Sequence, residues 1–315
     1  MFTSLLRAPL LQAAKSGHLR KVVEHAPVSR SVVARFVAGS STEDAVRSTS
    51  RLVEDGLAVT IDHLGEDTTE QAQAQSVHDA YLELLGRLGD AGLADDGRAE
   101  VSVKLSALGQ GLGQDGVKIS TDFARSICRV AEAAGTTVTI DMEDHTTTED
   151  TLLAVTELRT DFPSVGAVVQ AYLRRTEGDC RDLVGSGSRV RLCKGAYNEP
   201  ESVAYTSTRE VDLSYVRCLK VLMAGRGYPM LATHDPRLVD IGGALAVQHE
   251  REAGSYEYQM LFGIRPDEQR RLAALGETVR VYLPYGQEWY GYLMRRMAER
   301  PANTVFFLRA LATRG

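Results

Sequence analysis

Hydrophobic and polar positions along the chain follow two periods that alternate repeatedly. Eight short segments rich in Val, Ile, Leu and Tyr predict β-strands, and longer amphipathic stretches between them predict α-helices. The predicted strands span residues 57–62, 101–105, 137–142, 165–173, 189–193, 229–233, 256–261 and 278–283. The helix between the fourth and fifth strands is predicted to be short, roughly residues 176–185. Pro266 is expected near the first turn of the helix after the seventh strand.

Strict alternation of strands and helices favours parallel pairing through right-handed crossovers. Eight such units over about 230 residues have the count and length of a closed (β/α)8 barrel. A doubly wound open sheet is the alternative, but no break in composition divides the units, which favours closure. We therefore predict one α/β domain over residues 1–315, with an N-terminal helical extension over 1–45 and the barrel over 57–300.

The composition narrows the class of protein. Hydrophobic residues make up 43% of the chain and charged residues 25%, which is typical of a globular protein. A net charge of −6 and the lack of a dense Lys/Arg cluster argue against binding to nucleic acid. The four cysteines form no CxxC pair, and neither a signal peptide nor a long apolar run is evident. We expect a cytoplasmic protein, free or peripheral on the inner face of the membrane.

Functional side chains stand at nearly every predicted strand end. In (β/α)8 barrels the active site lies at the C-terminal ends of the strands, and inward-facing charge is costly unless it is paired or used. We therefore predict an active site at these ends. The residues concerned are Asp62, His63, Glu66, Lys104, Asp141, Glu143, Asp144, Gln170, Tyr172, Arg191, Lys194, Thr233, His234, Asp235, Gln259, Tyr282 and Tyr285.

The individual residues leave several chemistries open. Lys104 and Lys194 could each form a Schiff base, although an ion pair with Asp141 would keep Lys104 protonated. No histidine spacing typical of a metal site is present, so no metal is expected. The segment "GLGQDG", 111–116, has the glycine spacing of a dinucleotide-binding loop. The next helix is predicted to begin near Ser120, however, so a flexible loop is favoured.

Cations near the ends of the fifth and eighth strands indicate an anion or flavin site. Arg191 and Lys194 lie three residues apart, and a cation beside a flavin ring tunes its electronics. The segment "YLMRRMAER", 292–300, predicts an amphipathic helix with Arg295 and Arg296 on its polar face. By itself that pattern is typical of a solvated surface. After an eighth barrel strand, paired guanidiniums favour binding of a carboxylate.

Seven motifs in order resemble those of one enzyme family. They are "IDMED", "VVQAYLRRTEGD", "RLCKGAY", "LATHDP", "YEYQMLFGIRPDEQRRL", "VRVYLPYG" and "WYGYLMRRMAERPAN". Together they resemble the monofunctional bacterial FAD-dependent proline dehydrogenases from about residue 20 to 312. The resemblance implies a distorted barrel with its last helix over the mouth. It also implies FAD as cofactor, L-proline oxidised to Δ1-pyrroline-5-carboxylate, a quinone as electron acceptor, and a separate pyrroline-5-carboxylate dehydrogenase.

The resemblance also assigns roles by position. The residues it implies for catalysis are Lys104, Asp141, Arg191, Tyr282, Arg295 and Arg296. Those implied to contact the substrate are Lys104, Leu192, Tyr197, Tyr282, Tyr292, Arg295, Arg296 and Glu299. Those implied to contact the flavin are Asp141, Gln170, Arg191, Lys194, Gly195, Ala196, Thr233, His234 and Gln259. Glu66 matches a glutamate that closes the site by pairing with an arginine. Two other classes remain open: a lyase or aldolase of this fold that uses a lysine Schiff base, and a non-catalytic flavin-binding or scaffold protein.

Overall fold

The computed structural model describes residues 33–66, 68–185 and 187–299, except for the side chains of residues 295–299. Eight parallel strands close into a barrel in sequence order, and the last strand pairs with the first. They are β1 (Ala58–His63), β2 (Ala99–Val103), β3 (Val138–Ile140), β4 (Gly166–Gln170), β5 (Arg189–Cys193), β6 (Tyr228–Ala232), β7 (Glu257–Leu261) and β8 (Val279–Tyr285). The predicted (β/α)8 barrel is confirmed. A doubly wound sheet is excluded because this sheet has no open edge.

Helices precede β1, connect the strands and follow β8. They are α1 (Thr42–Glu54), α2 (Gln71–Asp90), α3 (Gly116–Ala133), α4 (Thr148–Asp161), α5 (Thr176–Asp182), α6 (Thr208–Ala224), α7 (Pro236–Gln248), α8 (Pro266–Ala274) and α9 (Trp289–Glu299). The short helix predicted between the fourth and fifth strands is α5, and Pro266 begins α8 as expected. Of the extension predicted over 1–45, residues 1–32 lie outside the described part. No helix of the described ranges is both long and apolar enough to cross a membrane.

The predicted start of the third helix was wrong. α3 begins at Gly116, not near Ser120, and residues 113–115 form a 3₁₀ turn that leads directly into it. A Cβ on Gly116 would lie 2.3 Å from the carbonyl oxygen of Gln110, so only glycine allows this close approach. The hydroxyl of Ser120 donates to the Val117 carbonyl inside the helix and does not cap it. The segment 111–116 is therefore an ordered turn, and the preceding strand already ends at Val103.

The two faces of the barrel wall differ in chemistry, because successive strand residues point to opposite sides. Outward residues such as Ile61, Val101 and Tyr258 are apolar and lie in the core between the strands and the helices. Inward residues are polar or charged on several strands, whereas barrel interiors are usually filled by branched apolar side chains. These inward side chains form two layers, of which the one nearer the strand C-termini includes Arg191 and Gln259. The layer nearer the strand N-termini, here called the floor, contains Glu100, Arg189, Glu257 and Arg280.

The mouth of the barrel is bordered by α9. Tyr292 and Leu293 of this helix are buried in an apolar cluster with Phe36, Leu64 and Ile264. Phe36 precedes α1, and the other two belong to the β1–α2 and β7–α8 connections. The last helix is therefore packed against loops at the C-terminal ends of the strands, where the resemblance places it.

Candidate active site

A cavity of about 520 Å³ opens at the C-terminal ends of the strands. Most residues assigned from the sequence line it. They are Glu66, Lys104, Asp141, Gln170, Arg191, Lys194, Gly195, Ala196, Tyr197, Thr233, His234, Gln259, Tyr282 and Tyr292. The side chains of Arg295, Arg296 and Glu299 lie outside the described part, so their assignments stay predictions. The barrel thus brings together residues from strands that are far apart in the sequence.

Leu192 does not line this cavity. It is completely buried in the apolar core between β5 and the helices, because it alternates with Arg191, which points inward. This placement corrects its assignment to the wall around the proline ring.

Lys104 is held by two carboxylates and a phenol. Its Nζ lies 2.7 Å from Asp62 Oδ2, 3.5 Å from Asp141 Oδ2 and 3.3 Å from the Tyr282 hydroxyl. Burial alone would lower the pKa of Lys104, but the charges of Asp62 and Asp141 outweigh it and raise that pKa above its usual value. The amine is therefore a buried ammonium ion, which suits binding of an anion and not formation of a Schiff base.

Asp62 lines the cavity but received no role in the sequence-based assignments. The expected ion pair of Lys104 with Asp141 exists, but Asp62 is the closer partner and is almost fully buried. Burial raises the pKa of the Asp62 carboxyl, and the Lys104 ammonium limits that rise. Its place at the end of β1 had marked Asp62 as a strand-end candidate. No pattern in the sequence indicated that it faces a lysine 42 positions later.

Asp141 connects the lysine to the arginine of the site. Its Oδ1 accepts hydrogen bonds from Arg191 Nη1 at 2.6 Å and from Ser102 Oγ at 2.8 Å. Its Oδ2 accepts from the Tyr282 hydroxyl at 2.7 Å. Burial and this neighbouring carboxylate raise the pKa of Tyr282 well above its usual value, so the phenol stays protonated. Both cations are thereby fixed through one carboxylate.

Arg191 lines the cavity and is almost fully buried. Besides Asp141, its guanidinium donates from Nε to Gln259 Oε1 at 2.5 Å, and it lies over the Tyr282 ring, with 5.3 Å between its Cζ and the ring centroid. Gln170 Nε2 donates to the Glu143 carbonyl oxygen at 2.6 Å, which fixes the plane of the amide. These bonds hold the hydrogen-bonding groups of the cavity in defined orientations.

Residues that follow β5 and β6 form a second polar group with Asp212 of α6. His234 Nε2 accepts from the Leu261 backbone N–H at 2.9 Å, and Thr233 Oγ1 accepts from the Asp235 N–H at 3.1 Å. Lys194 Nζ lies 2.6 Å from Asp212 Oδ1 and 3.2 Å from Asp235 Oδ2. This lysine is more exposed than Lys104, with 32% of its side chain accessible to solvent.

The β5–α6 loop is attached to the barrel by Glu199. Its carboxylate accepts from the His145 backbone N–H at 2.9 Å and from the Tyr172 hydroxyl at 3.1 Å, and it contacts the His145 ring. Gly195 has a φ of +112°, and a Cβ there would lie 2.2 Å from the Tyr172 ring. The path of this loop, which carries Ala196 and Tyr197 into the cavity, thus depends on glycine.

Comparison with known proteins gives the family. The family model described as proline dehydrogenase matches residues 45–309. The chain belongs to the proline dehydrogenase family. It is 37% identical to proline dehydrogenase 1 of Bacillus subtilis over 277 residues, which cover 88% of this chain and 89% of the relative. It is 39% identical to the proline dehydrogenase of Deinococcus radiodurans over 279 residues, with the same coverage.

A solved structure agrees with membership of the proline dehydrogenase family. Proline utilization A from Bdellovibrio bacteriovorus, inactivated by N-propargylglycine, superposes with a TM-score of 0.79 at 27% identity. The match covers 90% of this chain and 34% of that protein, so the chain spans about a third of the larger relative. Membership of this family also disfavours the aldolase alternative.

Proposed function

We propose that the protein oxidises L-proline to Δ1-pyrroline-5-carboxylate with bound FAD, the first step in the catabolism of proline to glutamate. The observation that carries the proposal is the buried pair of cations, Lys104 and Arg191, joined by Asp141 in the cavity of a proline dehydrogenase family member. A lysine held as an ammonium ion supports binding of a carboxylate substrate.

The residues of the cavity fit a flavin. A volume of about 520 Å³ is in the range of sites for organic cofactors, and apolar residues such as Val168 lie beside fixed polar groups. The residues that would hold FAD are Asp141, Gln170, Arg191, Lys194, Gly195, Ala196, Thr233, His234 and Gln259. When bound, FAD supplies the two-electron acceptor of the reaction.

The chain's own groups would bind and orient the substrate. Lys104, together with Arg295 and Arg296, would hold the proline carboxylate, and Tyr282 and Tyr292 would pack on the ring. Fixing the carboxylate restricts the orientation of the reacting carbon, which lowers the entropic part of the barrier. Asp62 and Asp141 balance the charges of Lys104 and Arg191. The added positive charges of Arg295 and Arg296 would disfavour a further cation and so help to keep the proline nitrogen unprotonated.

On the same basis we propose the remaining partners. A quinone would accept the electrons, and a separate pyrroline-5-carboxylate dehydrogenase would take the product. Glu66, which lines the cavity, would close the site in the absence of substrate by pairing with an arginine. The protein would work in the cytoplasm or on the inner face of the cytoplasmic membrane.

The absorbance spectrum of the purified protein tests cofactor and substrate together. We expect a flavin band at about 450 nm that disappears when L-proline is added without oxygen. Lys104→Met should keep the band but require a much higher proline concentration, because a charge-assisted bond to the carboxylate is lost. A colourless protein that takes up no FAD would overturn the proposal. Covalent trapping of a carbonyl substrate by borohydride would support the Schiff-base alternative.

A further inference from the structure

Two inward residues of β7 connect the barrel floor to the cavity. Glu257 and Gln259 are two positions apart and face the same side of the strand, and both are almost fully buried. Gln259 Nε2 donates to Glu257 Oε1 at 2.5 Å. The same oxygen accepts from Arg280 Nε at 2.9 Å, and Glu257 Oε2 accepts from the Tyr228 hydroxyl at 3.1 Å. Glu257 does not line the cavity.

The amide of Gln259 stands between a group that only accepts and a group that only donates. Its Oε1 accepts from Arg191 Nε at 2.5 Å, while its Nε2 faces the Glu257 carboxylate. A guanidinium has no acceptor and a carboxylate has no donor, so only one orientation of the amide satisfies both neighbours. If the amide were reversed, its NH₂ group would face the Arg191 N–H, and two donors would meet.

The hydrogen bond from Arg191 Nε to Gln259 Oε1 holds one edge of the guanidinium. Its Nη1 atom is bound by Asp141 at 2.6 Å and Ser102 at 2.9 Å, and Nη2 lies 3.4 Å from Thr60 Oγ1. The contact of Nη2 is long and weak, so the bonds at Nη1 and Nε set the plane of the guanidinium. Gln259 is the partner of the third nitrogen, so a reversed or displaced Gln259 amide would let the guanidinium plane rotate.

We propose that Glu257 is a positioning residue for the redox site: it fixes the orientation of the Gln259 amide and thereby holds the Arg191 guanidinium against the cavity. This inference rests on the proposed function, because Arg191 is taken to lie beside the flavin. Glu257 touches neither substrate nor cofactor. Its contribution passes through one amide, and a cation held near the flavin ring stabilises the reduced, negatively charged flavin.

Two substitutions distinguish the effect of the acceptor oxygen of Glu257 from the effect of its negative charge. Glu257→Gln removes the charge but can keep an oxygen at the position of Oε1, where it still accepts from Gln259 and Arg280. Glu257→Met removes the charge and the acceptor with little change in shape. If Glu257 acted only as a nearby negative charge, both variants would raise the flavin midpoint potential. If it positions Arg191, Glu257→Met lowers the potential and Glu257→Gln does not.

The measurement is the midpoint potential of the bound flavin, by reduction against a reference dye, together with kcat and KM for proline. For Glu257→Met we expect a lower potential and about a tenfold lower kcat, with KM within about twofold of the wild type. Tyr228→Phe is the matched control, because it removes a bond to the other carboxylate oxygen and should leave the potential unchanged. An unchanged potential in Glu257→Met, or a rise equal to that of Glu257→Gln, would overturn the inference.

A double variant tests the inference without leaving an unpaired charge at Arg280. Glu257→Met leaves Arg280 without its nearest carboxylate, and such a buried charge is strongly destabilising. Glu257→Met combined with Arg280→Met removes both charges, and buried ion pairs can often be replaced by apolar residues without loss of stability. The double variant should show the same fall in potential. Failure of the proposed function gives a different result, since the wild-type protein would then bind no flavin or would not be reduced by proline.

Discussion

Replacement of Asp62 by asparagine tests how strongly burial increases the contribution of the Lys104–Asp62 ion pair to stability. The carboxylate lies 2.7 Å from Lys104 Nζ, and only 1% of the Asp62 side chain and 9% of the Lys104 side chain are exposed. The chain contains a more exposed pair of the same residue types. Asp212 lies 2.6 Å from Lys194, with 19% and 32% of these side chains exposed. Each lysine also has a second carboxylate within reach, Asp141 at 3.5 Å or Asp235 at 3.2 Å.

The expected magnitudes follow from this difference in exposure. Removing one partner of a buried ion pair costs about 3–5 kcal/mol, because the remaining charge is left without compensation. Asp141 still neutralises part of the Lys104 charge, so we expect Asp62→Asn to lower the free energy of unfolding by about 3 kcal/mol. Water screens the Lys194 pair, and Asp212→Asn should cost about 1 kcal/mol or less.

Urea unfolding of both variants at saturating FAD provides the measurement, because bound cofactor adds to the stability of each protein. Asp62→Asn should also raise the proline KM by about tenfold, since the Lys104 ammonium loses the closest group that holds it in position to bind the carboxylate. Equal losses of unfolding free energy in the two variants would refute the reasoning, as burial would then not control the strength of the pair.

Two further predictions concern Glu143 and Gly195. Burial raises the pKa of Glu143 from 4.5 to about 7. Between pH 4.5 and about 7 the folded protein therefore keeps a proton on Glu143 that the unfolded chain releases. The free energy of unfolding falls as the pH rises through this range. The free energy of unfolding, measured at pH values of about 5 and 8, should change by up to about 3 kcal/mol less in Glu143→Gln than in the wild type. An equal change in both proteins would contradict this. Gly195→Ala places a Cβ against the Tyr172 ring, so the purified variant should retain less FAD. Gly178→Ala, with no atom within 4 Å of the added Cβ, is the control, and normal flavin content in Gly195→Ala would speak against the role of this loop.

The elements of the fold were largely predictable from local pattern. Short segments rich in Val, Ile, Leu and Tyr identified all eight strands, and β5 has the predicted bounds of 189–193. The second strand begins and ends two residues earlier than predicted, at Ala99 and Val103. The start of α3 was misjudged because Ser120 has the residue type of a helix cap. The deciding factor was the contact between Gly116 and the Gln110 backbone, which no helical period reveals.

The members of the site were predicted better than their partners. The strand-end positions and the family resemblance indicated Lys104, Asp141, Arg191 and Tyr282, and these residues meet in one cavity. That Asp62 is the closest partner of Lys104 was not predictable, because Asp62 lies on β1 and Lys104 directly follows β2, and the register of these two strands determines the contact. The placement of Leu192 outside the cavity likewise depends on which face of β5 points inward.

By itself, the sequence determined the order of strands and helices, the family and the chemical groups available at the strand ends. Each of these depends on residues close together in the chain or on motifs read in order. The tertiary structure decided which groups pair, as in the path from Glu257 through Gln259 to Arg191. The reason is physical: hydrogen bonds and ion pairs depend on distances of a few ångströms between strands, and closure and register of the barrel alone set those distances.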